Sequence, residues 1–358
     1  TESTEELGCA DFPLAIQAAG AALRYLQETQ IGALPQIQSL NTLTSDEFMS
    51  LDPQTIRNLE LFESTSPTNE GDSLLSILDL TLTSMGGRLI QHWIGQPLTN
   101  LTQLEERQEA VNWMYENTLA RAKARKTLTS MGDLERLINR VKSGYATPRE
   151  LVNLRSSLEK AVTIKSEFQH YSDVDIELER ILTDINPHTE TIGLLTKSLN
   201  DDPSPTPGDG GVIRKGFSKE LDQLRDASIQ KREYLANLET KERERTGVKN
   251  LKLGYNKVFG YYIEVTKTNL SRVPEDYIRK QTLTNAERYF TAELKDAETY
   301  LLNAQERLSQ LEQATYRQIC SQVGEESKKI LLTGSSIAHI DVIANLAEVA
   351  AQNQFVRP

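Results

Sequence analysis

The sequence predicts a mainly α protein: a helical core from which two long antiparallel helices carry a small inserted β-sheet. Three observations predict it. Apolar residues recur at three- and four-residue spacing over most of the 358 residues. One block, 246–290, switches to two-residue alternation and is rich in aromatics. The stretch DDPSPTPGDGG at 201–211 has three prolines and three glycines, so it can be neither helix nor central strand and reads as a linker.

Taken in order, residues 12–30 place Leu14, Ala18, Ala22 and Tyr25/Leu26 at helical spacing. Gly32 and Pro35 break that run, and an alternating segment at 37–44 (IQSLNTLT) reads as a strand. Asp52-Pro53 opens a further helical or extended run, and 64–73 is a loop by composition. From Leu74 to Leu182 the pattern is helical almost throughout, with Leu74, Leu75, Leu78, Leu82, Leu89, Trp93 and Leu98 marking an apolar face. Asn100 is suited to cap a helix over 98–117, and Thr147-Pro148-Arg149-Glu150 starts another with proline at the first helical position. After the 201–211 stretch, two long patterns predict about 40 Å of helix over 217–243 and about 50 Å over 291–323. The second has a heptad-like seam, Leu294, Ala297, Leu301, Ala304, Leu308, Leu311 and Thr315. The simplest arrangement pairs them antiparallel as arms that hold the intervening block.

Inside that block, Leu251, Leu253 and Tyr255 alternate with Lys252 and Gly254, and Phe259, Tyr261, Ile263 and Val265 alternate with Tyr262, Glu264 and Thr266. Asn256 and Gly260 bracket the reversal of a β-hairpin, and Gln281–Phe290 reads as a third strand. Charge sets the block apart. The chain carries a net charge of −11. Residues 245–290 hold nine Lys/Arg against four acids, a net of +5, which leaves about −16 for the remainder. A basic, strand-forming island in an acidic helical chain is suited to meet a polyanion. The candidate phosphate-contacting residues are Lys249, Lys252, Lys257, Lys280 and Arg288, on or beside the predicted strands, with Arg279 and Asn285 next to them. The same cations could instead solvate an edge strand. The aromatics could stack on bases, but alternation turns half of them inward, which favours a small sheet core.

Other strings fall short of their motifs. Gly211–Ser218 nearly spells a phosphate-binding loop, but Phe217 stands where lysine is needed and the Pro-rich stretch where a strand is needed, so it reads as a loop leading into a helix. Gly71-Asp72-Ser73-Leu74 matches an esterase string without a strand before it or a late Asp-x-x-His, and Ser73 reads as a helix N-cap. His92, His170, His188 and His339 have no metal-ligand spacing. No catalytic residue, metal or cofactor is therefore expected. Cys9 and Cys320, with no secretory pattern in TESTEELGCADFPL, read as free cytosolic thiols, and no run approaches 18 apolar residues, so no membrane span is expected.

The residues now described resemble a known family. KLGYNKVFGYYIEVTK (252–267) followed by VPEDYIRKQTLTNAERYFTAELKDAE (273–298) resembles the clamp of the MutS family of bacterial mismatch-repair proteins. LDPQTIRNLELFES and GDSLLSILDLTLTSMGGRLIQHWIGQPL resemble the start of its core, GGVIRKGFSKELDQLR the passage from core to clamp, and IAHIDVIANLAEVA with FVRP the last core helix. The resemblance runs from about residue 9 to the last residue. The family's lesion-reading Phe-x-Glu is not found at any of the eight phenylalanines, and the P-loop of its ATPase domain is not found either. The resemblance implies a core at 1–212 and 300–358 with a clamp inserted at 213–299. It implies a clamp that touches duplex DNA backbone without base readout, and long helices that relay the state of an ATPase domain, where ATP and Mg would bind. It also implies a cytoplasmic, nucleoid-associated protein that meets a MutL-type partner, dimeric as a whole family member, with this chain alone a monomer or weak dimer. The competing reading is a helical scaffold whose basic hairpin binds an acidic protein.

Overall fold

The computed structural model describes residues 12–29, 48–64, 73–256, 258 and 260–358. The strand expected at 37–44, most of the loop expected at 64–73, and Lys257 and Phe259 lie outside the described residues. The chain divides into two compact units, Thr1–Lys197 with Arg317–Pro358, and Ser198–Tyr316.

The first unit is helical. Its elements are α1 (Pro13–Thr29), α2 (Pro53–Asn58), α3 (Leu74–Leu78), α4 (Ser84–Gly95), α5 (Leu101–Glu116), α6 (Thr118–Leu128), α7 (Leu134–Lys142), α8 (Pro148–Phe168), α9 (Ile176–Thr183) and α10 (Thr189–Ser198). It is completed by the end of α12 (Ala292–Glu325) and by α13 (Ser327–Asn353). Local chemistry starts these helices where the sequence indicates. Asn100 accepts from Gln103 N–H at 3.2 Å, and Ser73 accepts from Ser76 N–H at 3.2 Å. Thr147 and Glu150 form a reciprocal capping box, with Pro148 opening α8. Each such cap is worth about 1 kcal/mol. Along α8, Leu151, Leu154, Leu158, Ala161 and Ile164 follow the helical period and are fully buried.

At the centre of this unit α13 packs against α3 to α9. It is long and apolar enough to cross a membrane, but 72% of its most apolar window is buried within the protein, which accounts for that composition. The single apolar face expected over Leu74–Leu98 is interrupted. Residues 79–83 leave the helix between α3 and α4, Leu74 is 40% exposed, and Leu98 sits in an isolated antiparallel bridge with Phe48.

His188, just before α10, is buried with a positive φ of 46°, and its Nε2 lies 2.9 Å from Thr333 Oγ1. Burial pushes the imidazole below its ordinary 6.5, with Glu326 and Lys329 acting in opposite senses. A depressed folded-state pKa means that the unfolded chain binds the proton first. Stability is therefore complete above about pH 6.5 and is lost as pH falls below it. His188→Asn, which tolerates this φ, is expected to remove a slope of up to about 1.4 kcal/mol per pH unit between pH 7.5 and 5.5. Urea midpoints across that range measure it, and an unchanged slope would mean that His188 does not titrate as its burial requires.

The second unit contains α11 (Lys219–Thr246), β1 (Lys252–Asn256), β2 (Gly260–Thr266), β3 (Ile278–Thr282), β4 (Ala286–Phe290) and the first three-quarters of α12. The two long helices run antiparallel, joined by Arg225–Glu312 at 2.9 Å, Arg232–Gln305 at 3.4 Å and Tyr234–Glu293 at 2.9 Å. The Asn256–Gly260 hairpin forms in the expected register. The third strand does not form as one piece. Leu283 N–H donates to Ala286 O at 2.8 Å and folds 281–290 into a second hairpin, so the sheet has four antiparallel strands in the order β1-β2-β4-β3. Nor is 201–211 a free linker. It is irregular, but Pro203 and Gly208 are buried, and its backbone is bonded to α12.

Candidate nucleic-acid interface

The inner face of the sheet sits on the arms. Ile263, Val265, Tyr277 and Tyr289 form one cluster with Leu235 and Leu238 of α11 and with Leu294 and Ala297 of α12, and Leu253 and Tyr261 pack against it. Residues directly opposite on neighbouring strands share a face. The register Leu253–Ile263–Tyr289–Arg279 is therefore the inner row, and Lys252–Glu264–Arg288–Gln281 is an outer row with one residue from each strand.

The outer row is a bonded ladder. Arg288 donates through Nε to Glu264 at 2.9 Å and through Nη1 to Gln281 at 3.0 Å. Its guanidinium lies 4.1 Å from the centroid of the Tyr262 ring. That ring lies across β1, where Gly254 is its register partner, and a Cβ on Gly254 would come within 2.5 Å of it. Arg288 is thus half-buried and already engaged. Arg279 falls on the inner row at the sheet edge, exposed and 3.7 Å from Glu287. Lys280 sits at the register shift between Arg279 and Gln281, with its ammonium 5.3 Å from the centre of the Phe290 ring.

Several acids around the sheet are used internally. Glu239 accepts from Leu253 N–H at 2.8 Å, on the open edge of β1. Glu242 is buried and accepts from Tyr277 Oη at 2.7 Å and Arg245 Nε at 2.9 Å. Burial and this bond push the Tyr277 phenol up. Glu287 accepts from Tyr289 Oη, whose pKa is pushed up to about 12 by burial and by that carboxylate. Glu298 accepts from Tyr261 N–H at 3.1 Å and fills the space where Gly260, at φ +74°, lacks a Cβ. Asp276 holds Arg245 at 3.0 Å.

The lysines are placed differently. Lys249, Lys252 and Lys267 are exposed and take part in no ion pair among the described residues. The register puts the start of β1, the end of β2 and the β3–β4 turn at one end of the sheet, because Lys252 pairs with Glu264 and Thr266 with Ala286. Lys252, Lys267 and Asn285 therefore share one end, with Lys249 three residues before Lys252, and Lys267 N–H donates to Asn285 O at 3.1 Å. The local pattern does not single out Lys267, which the register brings to this end. Lys257 lies outside the described residues.

The family model described as MutS domain III matches residues 54–347. The chain is 44% identical over 351 residues to "DNA mismatch repair protein MutS" of Dehalococcoides mccartyi, covering 98% of this chain and 41% of that protein. It is 43% identical over 348 residues to the protein of the same name from Acetivibrio thermocellus, covering 97% of this chain and 40% of that one. It is also 43% identical over 347 residues to that from Methanothrix thermoacetophila, with 97% and 40% covered. The chain thus spans about two-fifths of the length of these relatives.

Proposed function

The chain belongs to the MutS family, as a core region of it, and on that premise we propose that its four-stranded sheet grips duplex DNA by the phosphates while α11 and α12 act as levers. The observation that carries this reading is the sorting of charge. Glu239, Glu242 and Glu298 are taken up as hydrogen-bond acceptors within the sheet and arms, and Lys249, Lys252 and Lys267 stand exposed at one end, in no ion pair among the described residues. Exposed ammonium groups on the sheet engage phosphates as point charges and release counterions, which gives affinity without base readout. The engaged Arg288 ladder supports the platform. The levers would link the sheet to the nucleotide state of an ATPase region of the whole protein.

Titration of a fluorescent duplex of arbitrary sequence tests the reading. A dissociation constant of about 10⁻⁴–10⁻⁶ M at physiological salt is expected, with log K falling against log salt at a slope of about −3 if three phosphates are engaged. A duplex with a mismatch should bind equally, because phosphate contacts carry no sequence information. Binding that is absent, or insensitive to salt, would sink the proposal.

A further inference from the structure

The irregular stretch before α11 contains an anion-binding arrangement that the sheet does not use. Backbone N–H groups of Gly208, Gly210, Val212 and Ile213 converge on one carboxylate, Glu312 of α12, at 2.9, 2.8, 3.1 and 3.2 Å. Oε2 takes the two glycines. Oε1 takes Val212, Ile213 and the Arg225 guanidinium of α11, the last at 2.9 Å. Glu312 is 1% exposed. Every one of these partners is a donor, so both oxygens act only as acceptors.

Convergent amides in a glycine-rich turn form a nest of the kind that holds phosphate. The glycines are required here. Gly208 and Gly210 have φ of +105° and +88°, and a Cβ on Gly208 would lie 2.5 Å from Ser309 Oγ. The near-match to a phosphate loop at Gly211–Ser218 overlaps this nest, and its backbone does cradle an anion, but one supplied by the chain itself. Beside Glu312 a cavity of about 340 Å³ is lined by Arg225, Arg232 and the buried Ser228, whose Oγ has no hydrogen-bond partner among the described residues.

We propose that Glu312 is an internal anion that latches the 203–213 loop to both long helices, and that the nest it fills accepts a small free anion when the side chain is removed. Loop, α11 and α12 are then tied at one point, and Glu312 is a positioning residue for the arms. Its consequence for the levers rests on the function proposed above. The latch itself does not, and its test involves no DNA, so a chain that failed to bind duplex would leave the result standing.

The experiment uses the full chain with Glu312→Gln and Glu312→Ala. The glutamine keeps volume but turns one acceptor into a donor facing amides. It is expected to speed hydrogen exchange at Gly210, Val212 and Ile213 by about tenfold or more, with Leu154 of α8 unchanged. The alanine variant is expected to regain thermal stability and protection in sodium formate, saturably, and not in sodium chloride at equal ionic strength. Formate should do nothing specific to the parent chain, whose nest is full. Unchanged exchange in Glu312→Gln overturns the latch, and it decides the matter even where Glu312→Ala does not fold. Equal effects of formate and chloride on a folded Glu312→Ala chain overturn the anion site.

Discussion

Replacing Asp341 by alanine is expected to lower folding stability by about 3–5 kcal/mol, from the stranding of several buried donors at once. Asp341 lies on α13 and is fully buried. It accepts from Leu82 N–H at 3.1 Å, Thr83 N–H at 2.8 Å and Thr83 Oγ1 at 2.7 Å. Thr83 in turn caps α4 by accepting from Gly86 N–H at 3.0 Å, and Gly86 has no Cβ because one would lie 2.2 Å from Asp341 Oδ2. One turn on, Asn345 accepts from Leu80 N–H at 2.6 Å and donates to Leu78 O at 2.8 Å. Two side chains of α13 thus make most of the backbone bonds of the connection between α3 and α4, with Asp79 accepting from Thr81 N–H and Arg125 donating to Leu80 O. With alanine, the buried amide of Thr83 and the half-buried amide of Leu82 lose that acceptor, at about 1–3 kcal/mol for a fully buried group. Against a typical total of about 5–15 kcal/mol, such a loss unfolds a large share of the chain. Urea unfolding followed by the fluorescence of Trp113, which is buried against Phe168, reads it directly.

The charge on Asp341 contributes in the opposite sense. Burial raises its pKa above the ordinary 3.8, although the bonds to Thr83 and Leu82 counter this. A raised folded-state value means that the folded chain holds the proton more tightly. The contribution of this group is thus greatest below pH 3.8 and declines as pH rises through its folded value. Asp341→Asn, which keeps an acceptor and removes the charge, is therefore expected to cost less than Asp341→Ala at neutral pH. A loss of under about 1 kcal/mol for the alanine variant would show that the α3–α4 connection is held by something other than Asp341.

What could be read from the sequence was local. Asn100, Thr147-Pro148 with Glu150, and Ser73 act within three residues of themselves, and each caps its helix as expected. The α12 seam and the Asn256–Gly260 reversal follow from short periods and one glycine. What could not be read depended on distant partners or on a missing signal. The β3–β4 turn at Leu283-Thr284-Asn285 has neither glycine nor proline, so alternation ran through it unbroken. The 201–211 stretch has the composition of a linker, and the carboxylate that immobilises it lies about a hundred residues later. The same holds at the interface. Local charge count located the basic block, but only the register separated Arg288, engaged with Glu264 and Tyr262, from the exposed Lys252 at the end of the same row.

That distinction leads to the largest functional effect. Lys249→Glu with Lys252→Glu is expected to weaken duplex DNA binding about 60-fold or more at 0.1 M salt, for every sequence alike. At a slope of about −0.9 per phosphate, each contact is worth about 8-fold at 0.1 M relative to 1 M, so two lost contacts multiply to that figure. The salt slope should fall from about −3 to about −1, leaving the share of Lys267. Reversed charge adds repulsion, which deepens the loss without changing this count. Lys252→Glu also sets a carboxylate opposite Glu264, at a cost of about 0.2–1 kcal/mol to the sheet. Lys249→Gln with Lys252→Gln avoids that cost and should flatten the slope by the same amount. The matched control is Lys123→Glu with Lys219→Glu, both exposed and neither part of the sheet, which changes net charge equally and should alter affinity by only about twofold. If the glutamine pair stays folded and keeps the full slope, the phosphates do not meet this end of the sheet. If the control pair loses as much as the sheet pair, binding follows net charge and no clamp surface has been located.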